Sequence, residues 1–188
     1  MFLLKQYPEY IFNFEGAVKY AWMKEYYPAQ YEEMKKFIES GRWHISGASW
    51  DATDTLVPSI ESALRNIMLG QDYYRKEFGV ESTDIFLPDC FGFGWTLPAI
   101  ASHCGLIGFS SQKLQWRNKP FYGNDKYPFT VGLWQGIDGS TIMMTHGYDY
   151  NQRFEDGDLS ENKDLLELTG HSPLHMVYRY YGTGCLLY

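Results

Sequence analysis

Polar side chains follow several of the predicted strands, at the points where those strands end. Two carboxylates that approach a sugar linkage from opposite sides suit a glycosidase, which needs an acid and a nucleophile there. Carboxylates together with a histidine also suit a metal ion, which binds charged oxygen and neutral imidazole nitrogen. No spacing distinguishes the two interpretations, and each residue taken singly also fits an ordinary solvated loop. The candidates are Asp51, Asp54, Asp89, His146, Tyr148, Asp149 and the Gly-Thr-Gly run at 182–184.

The stretch that contains Asp89 carries the clearest local signals. Residues 85–87 form a short apolar run that predicts a buried strand. Pro88 cannot donate a hydrogen bond to a neighbouring strand, and Gly92 and Gly94 permit a turn, so the strand is predicted to end there. Asp89 then lies just past the carboxyl end of a strand, where α/β folds collect ligands and catalytic groups. An aspartate in this place also serves as a turn residue or helix cap, so both interpretations stay open.

Composition and charge argue against some classes of partner. The 188 residues carry a formal net charge of −7, which disfavours nucleic acid and anionic membranes, because both reward a basic surface. No stretch reaches membrane-spanning length, and the amino terminus lacks a signal-peptide pattern. Aromatic residues make up 18% of the chain, which suits a binding cleft as well as a core. No G-x-S-x-G elbow, phosphate-binding loop or G-x-G-x-x-G fingerprint occurs in the sequence.

The cysteines and the other histidines predict no site of their own. Three cysteines, an odd number, form no C-x-x-C pair and predict reduced thiols in a cytoplasmic protein. They are Cys90, Cys104 and Cys185. The remaining histidines fit structural positions, either inside a predicted strand or helix or at the surface around a proline loop. They are His44, His103, His171 and His175.

Apolar periodicity and turn residues predict strands that alternate with helices. The predicted strands cover 10–14, 43–46, 84–87, 106–110, 129–135, 141–145 and 175–181. Helices are predicted over 15–26, 28–40, 58–78 and 97–104, and residues 1–6 read as the tail of a helix. Asp138 and Gly139 mark a hairpin turn. This alternation predicts one α/β domain over residues 1–188, with a mostly parallel sheet or barrel.

The clearest of these helices is 58–78, which Gly79 is predicted to end. Its apolar side chains recur at helical spacing, so we expect one face of the helix to be buried. The side chains predicted for that face are Ile60, Leu64, Ile67, Met68, Tyr74 and Phe78.

Several segments resemble, in the expected order, the catalytic domain of glycoside hydrolase family 38, the retaining α-mannosidases. The most diagnostic is the P-D-x-F-G pattern at 88–92. The others are 41–43, 47–54, 58–59, 70–79, 98–105, 112–114 and 134–140. The resemblance covers nearly the whole chain. It implies a zinc-dependent retaining glycosidase on a (β/α) barrel, acting on an α-mannoside or a mannose-containing oligosaccharide.

The resemblance also implies roles for particular residues. Asp89 is expected to be the catalytic nucleophile and a zinc ligand, Phe91 to line the sugar site, and Asp54 to lie near the metal. A zinc ion beside the nucleophile would bind two neighbouring sugar hydroxyls and keep the carboxylate ionised. A stretch similar to the family's substrate-contacting loop contains His146, Tyr148 and Asp149.

Departures from the family pattern are equally specific. The family's early His-x-Asp zinc-binding motif does not occur before Asp51, and a later histidine ligand of the family lies beyond Tyr188. Cys185 stands where bacterial members have an aspartate that acts as the general acid/base. We therefore expect an internal fragment of the catalytic barrel, incomplete at both ends and inactive alone. A non-catalytic carbohydrate-binding or interaction protein remains an alternative, as does a metal-assisted hydrolase such as a deacetylase.

Overall fold

The computed structural model describes residues 1–90, 92–111, 131–146 and 185–186. Its helices are α1 (Phe2–Gln6), α2 (Ala17–Tyr26), α3 (Pro28–Glu39), α4 (Ile60–Phe78) and α5 (Leu97–His103). Its strands are β1 (Ile11–Phe14), β2 (Trp43–Ile45), β3 (Asp84–Phe86), β4 (Gly108–Ser111), β5 (Val131–Gln135), β6 (Thr141–His146) and β7 (Cys185–Leu186). The predicted elements in this part of the chain are confirmed with small differences at their ends. The predicted strand 175–181 and the run at 182–184 lie outside the described residues.

Helix α4 begins and ends where its capping residues allow. The Ser59 hydroxyl accepts a hydrogen bond from the Ser62 amide at 3.2 Å, which satisfies one of the amides that a helix start leaves without a partner. Gly79 ends the helix with φ at +69°, a left-handed conformation that glycine adopts without steric cost. The predicted helix 58–78 therefore starts two residues later than expected, because Ser59 is its cap.

The buried face of α4 differs from the predicted one. Ile67 and Tyr74 are buried as expected, but Ile60 and Met68 are 55% and 54% exposed. The contact face centres instead on Gly70, where an added Cβ would lie 2.2 Å from the Ala48 carbonyl oxygen. A helix that approaches a backbone segment this closely turns its smallest residue toward that segment, and its outlying apolar residues are left in solvent. The prediction of Ile60 and Met68 on the buried face was wrong for this reason.

Strand pairing is mixed but mainly parallel. One sheet has the order β2-β1-β7 and the other β3-β4-β6-β5. The pairs β1–β2, β3–β4 and β4–β6 are parallel, whereas β5–β6 and β1–β7 are antiparallel. The Ala48 amide donates to the Asp84 carbonyl oxygen at 2.8 Å, so the chain just after β2 is bonded to β3. The structure is thus a mixed α/β fold with two small sheets joined at this point.

The antiparallel pair β5–β6 is the predicted hairpin. The Gly136 amide donates to the Ser140 carbonyl oxygen at 2.8 Å. Gly139 has φ at +85°, and the Asp138 carboxylate accepts hydrogen bonds from the Ser140 amide and hydroxyl at 3.0 and 2.7 Å. The Asp-Gly signal in the sequence is confirmed, because this turn needs a residue with positive φ and an acceptor that satisfies its amides.

Alternate side chains of the strands point to two faces, as strand geometry requires. We call the side that packs on the helices the outer face. In the sheet of β3 to β6 it carries Ile85, Phe109 and Ile142, which form one core with α4 and α5. The strands β1 and β2 form a second core with α1 to α4, through Trp43 and Ile45 among others.

The opposite side, here called the inner face, is more polar. It carries Asn13, Ser46 and Asp84, together with Leu133 and Met143, which pair with each other across β5 and β6. Within the described part of the chain, no helix is both long and apolar enough to cross a membrane.

Candidate active site

Asp89 lies where the sequence predicts it, beyond the carboxyl end of a parallel strand. It follows Leu87 and Pro88 directly after β3, and its side chain is exposed. Because β4 and β6 run parallel to β3, the residues that end these strands share one edge of the sheet. Asp89 therefore stands at an edge where other groups can approach a bound molecule.

The connection between β2 and α4, residues 46–59, is bound tightly to α4. We call it the β2–α4 loop. The Asn66 side chain donates to the Asp51 carbonyl oxygen at 2.8 Å and accepts from the Asp51 amide at 3.1 Å. The Asn66 carbonyl oxygen accepts from the Trp50 amide at 2.8 Å. Three hydrogen bonds to one residue leave this part of the loop little freedom to move.

The N-terminus of α2 holds the same loop from another side. The Ala17 and Val18 amides donate to the Ser49 and Trp50 carbonyl oxygens at 3.2 and 2.8 Å. Amides in the first turn of a helix have no partner within the helix. The loop supplies those partners, so its backbone conformation is coupled to the position of α2.

Beyond Asp51 the loop meets the turn that carries Asp89. The Thr55 hydroxyl donates to the Gly92 carbonyl oxygen at 2.7 Å, and the Cys90 thiol donates to the Thr53 carbonyl oxygen at 3.2 Å. Asp54 lies between these contacts. The loop and the turn therefore form one continuous surface, and the predicted proximity of Asp54 and Asp89 follows from their shared neighbours.

The carboxylate of Asp54 organises the end of the loop. Its Oδ1 accepts hydrogen bonds from the Leu56 amide at 2.7 Å and the Val57 amide at 3.2 Å. This arrangement is an Asx turn, in which a side chain takes the place of a backbone acceptor. Asp54 is exposed.

Electrostatics around Cys90 reveal a third carboxylate that the sequence interpretation missed. The pKa of the Cys90 thiol is raised to about 11, first by burial and then by three nearby carboxylates. These belong to Asp54, Asp89 and Glu15. Glu15 comes directly after β1 and forms an ion pair with Lys19. The sequence signal that could have identified Glu15 is an acidic residue at the end of a predicted strand, followed directly by Gly16.

Other predicted site residues are only partly within the described structure. The backbone of His146 ends β6 and pairs in register with Ser111 at the end of β4, which places it along the edge that follows β3. Phe91, Tyr148 and Asp149 lie outside the described residues.

Comparison with known proteins agrees with this architecture. Residues 1–171 match the model of the glycosyl hydrolases family 38 N-terminal domain. The chain belongs to glycoside hydrolase family 38. The resemblance seen in the sequence is therefore confirmed.

Individual family members show how much of the protein this chain represents. Alpha-mannosidase G of Dictyostelium discoideum is 37% identical over 166 residues, which cover 85% of this chain and 15% of that protein. The alpha-mannosidase of Saccharomyces cerevisiae is 30% identical over 189 positions, covering 99% of this chain and 16% of that protein. The chain thus spans about one sixth of the length of these two relatives.

A solved structure supports the fold. The crystal structure of an alpha-mannosidase from Enterococcus faecalis superimposes with a TM-score of 0.61 and 21% identity, covering 77% of this chain and 16% of that chain. The mixed α/β fold of this family 38 chain is therefore shared with that enzyme.

Family 38 α-mannosidases are generally metalloenzymes, and zinc sites normally take three or four protein ligands. Within residues 1–90, 92–111 and 131–145, no three side chains of His, Cys, Asp or Glu come together as a metal site. One oxygen of Asp54 is already engaged with the Leu56 and Val57 amides. The described residues of this family 38 chain therefore do not fit a zinc ion by themselves.

Proposed function

We propose that residues 1–188 form one domain, an internal part of the catalytic (β/α) barrel of an α-mannosidase, incomplete at both ends. The parallel strands β1, β2, β3, β4 and β6 occur in chain order with helices between most of them. The Ala48–Asp84 hydrogen bond joins the first sheet to the second. Barrels close by repeating this arrangement around an axis.

In this proposal Asp89 is the nucleophile, and the observation that carries it is the place of Asp89 at the exposed carboxyl edge of β3. One oxygen of Asp89 would attack the anomeric carbon of a terminal mannose. The bond from that carbon to the leaving oxygen breaks, and the leaving oxygen takes a proton from an acid. Water then cleaves the glycosyl ester, which releases mannose with retained configuration and restores the Asp89 carboxylate.

The proposed substrate is an α-mannoside or a mannose-containing oligosaccharide, bound along the exposed edge. A cavity of about 40 Å³ beside Asp54 is lined by apolar side chains of α4, α5 and residues 85–87 and by polar residues of the β2–α4 loop. That volume holds a few water molecules but not a sugar ring. We therefore propose that the sugar lies at the exposed edge, outside this cavity, in contact with Asp54, Phe91, His146, Tyr148 and Asp149.

Two parts of the complete reaction are assigned outside the described residues. We propose that Asp89 contributes one ligand to a zinc ion and that the other ligands come from elsewhere in a longer protein. The acid is also missing at its expected position, because Cys185 stands there. A thiol with a reference pKa of about 8.5 is poorly matched to acting as both acid and base near neutral pH. Cys90 and Cys104 are free thiols, which supports our proposal of a reducing, cytoplasmic setting.

Binding of a simple mannoside tests the site. Methyl α-mannoside added to the purified chain should shift the NMR signals of Asp54, Asp89 and Thr55 more than those of residues in α3. Methyl α-glucoside and the Asp89→Asn variant serve as controls, and both should give smaller shifts. Shifts that map to the inner face near Leu133, or that do not distinguish the two sugars, would contradict the proposed site.

Turnover assays test separately the role of Asp89 and the effect of the missing acid and metal ligands. We expect the chain to hydrolyse no mannobiose even with zinc supplied, because general acid catalysis is typically worth about 10² to 10⁴-fold and the metal ligands are too few. An activated aryl α-mannoside needs no protonated leaving group. Hydrolysis of the aryl substrate that Asp89→Asn abolishes would refute the metal argument alone. Hydrolysis of mannobiose would refute the view that this chain is an incomplete enzyme.

A further inference from the structure

Asp84 opens β3 at the junction of the two sheets. Its Oδ1 accepts hydrogen bonds from the Gly47 amide at 2.8 Å and the Ser82 hydroxyl at 3.0 Å, and its Oδ2 accepts from the Ser46 hydroxyl at 2.9 Å. Its carbonyl oxygen accepts from the Ala48 amide at 2.8 Å. A single residue therefore contacts three consecutive residues at the start of the β2–α4 loop, through both its side chain and its backbone.

We propose that Asp84 is a positioning residue, which holds the β2–α4 loop against β3 and thereby keeps Asp54 beside Asp89. The catalytic meaning of this role rests on the function proposed above, but the structural role does not. Hydrogen bonds to a carboxylate are stronger than those between neutral groups. Asp84 is only partly buried, whereas Ser46 is buried, so removing the carboxylate leaves a buried hydroxyl to find another partner.

The geometry of Gly47 shows why the loop needs this support. Gly47 has φ at +75°, and an added Cβ would lie 3.0 Å from the Cβ of Glu15 and 3.4 Å from that of Phe86. The backbone at this point is threaded between the ends of β1 and β3. The Asp84 carboxylate accepts from the Gly47 amide, so it fixes the chain in this narrow passage.

The other attachments of the loop act from a different direction. Asn66 and the first turn of α2 hold residues 49–51 to the helices. Asp84 holds residues 46–48 to the strand that leads to Asp89. The Tyr74 hydroxyl of α4 also donates to the Gly47 carbonyl oxygen at 3.3 Å, and Thr55 and Cys90 join the loop to the Asp89 turn directly. Asp84 differs from these contacts because it binds three consecutive loop residues to β3.

The thiol of Cys90 provides a test that needs no activity. Cys90 is half-buried and donates to the Thr53 carbonyl oxygen, so release of the loop exposes it. Cys104, at the end of α5, is a second half-buried thiol, and its backbone amide is bonded to carbonyl oxygens of α5. Iodoacetamide alkylation of the purified chain at one pH, resolved by peptide mass spectrometry, measures both rates in the same sample.

Asp84→Asn keeps the side-chain shape but replaces one accepting oxygen with a donor. We expect Cys90 to be alkylated about tenfold faster, as for the loss of one charge-assisted hydrogen bond, and Cys104 within about twofold of its original rate. Ser46→Ala removes one donor and should accelerate Cys90 by a smaller factor. Asp72→Asn, in an exposed ion pair with Lys76 on α4, should change neither rate.

Equal acceleration of Cys90 and Cys104 would mean general destabilisation and would overturn the proposal. An unchanged Cys90 rate in a folded Asp84→Asn variant would also overturn it, and Ser46→Ala decides the question if Asp84→Asn fails to fold. Methyl α-mannoside binding to the same variants separates the two proposals. If the unmodified chain does not bind the mannoside but Cys90 responds as expected, the proposed function fails and the positioning role stands.

Discussion

The two faces of the strands differ in what covers them. On the outer face, Phe109 and Ile142 are 1% and 2% exposed beneath the helices. On the inner face, Leu133 and Met143 are 74% and 58% exposed, although they belong to strands of the same sheet. Ile107 adds a third exposed apolar side chain to this region.

The outer face therefore provides most of the stability, whereas the proposed recognition site lies outside the buried core. Burial of apolar area against α4 and α5 provides the main stabilising term for the sheet. The inner face carries the polar contacts of Asp84 and an uncovered apolar area, and contributes little burial at that end. The proposed site lies at the edge between the two faces, where the strands end. The predictions below test how far the two faces differ.

The largest effect is expected from the outer face. Phe109→Ala should lower the free energy of unfolding by about 3–5 kcal/mol, because the ring packs against Phe93 and Trp134 at centroid distances of 5.0 and 5.2 Å. Met143→Ala on the inner face should change it by less than about 0.5 kcal/mol. Urea denaturation of both variants measures the difference. Similar losses in the two would remove the distinction between the faces.

The next effect concerns the junction at the carboxyl ends of β1 to β3. Gly47→Ala and Gly41→Ala both place a Cβ at positive φ, which costs about 1–2 kcal/mol. Gly41 has open space around it, whereas Gly47 faces the Cβ atoms of Glu15 and Phe86. Gly47→Ala should therefore destabilise the chain by at least about 1 kcal/mol more than Gly41→Ala. Equal losses of unfolding free energy in urea denaturation would show that the close approach of Gly47 to Glu15 and Phe86 does not affect stability.

A smaller effect, dependent on pH, belongs to the helix layer that covers the outer face. The pKa of Glu77 is lowered first by its hydrogen bond with Lys24 and also by that with Tyr31. A carboxyl group with a lowered folded-state pKa stabilises the fold above its unfolded-state pKa, and that contribution is lost as the pH falls through the folded value.

Glu77→Gln should therefore destabilise the chain near pH 7 by about 1 kcal/mol. The difference from the unmodified chain should disappear in acid below the ordinary glutamate range. Glu61→Gln, in an exposed pair with Arg65, is the control and should cost less. A Glu77→Gln effect that is independent of pH would show that the charge is not responsible.

The smallest effect on stability, with a visible effect on association, is expected at the inner face. Leu133→Thr should leave the unfolding free energy almost unchanged, because the side chain is largely exposed. Exposed apolar patches promote association, so we expect the purified chain to self-associate and the variant to associate less. Urea denaturation measures the stability and light scattering the association. A purified chain that stays monomeric would contradict this expectation.

Local signals in the sequence were sufficient for the elements and for the placement of Asp89. Pro88 and the glycines after it end β3 because proline lacks a donor and glycine permits the turn. Asp138 and Gly139 define the hairpin because its turn requires positive φ. These features depend on a few neighbouring residues, so they can be read without a tertiary structure.

The family could also be identified from the sequence, because its pattern at 88–92 depends on residue identity rather than on packing. The buried face of α4 could not be predicted from the sequence. That face was decided by the approach of Gly70 to the 48–50 backbone, which no helical periodicity encodes. Ile60 and Met68 were misplaced for this reason.

The composition of the candidate site was decided mainly by tertiary contacts. Glu15 and Asp84 lie far apart in the chain, yet each meets the β2–α4 loop through contacts that form only when β1, β2 and β3 are side by side. Residue types at strand ends determined by themselves that carboxylates gather at one edge of the sheet. Which of them touch, and which one holds the loop, was decided by the tertiary structure, because hydrogen bonds and close approaches depend on ångström distances between segments remote in sequence.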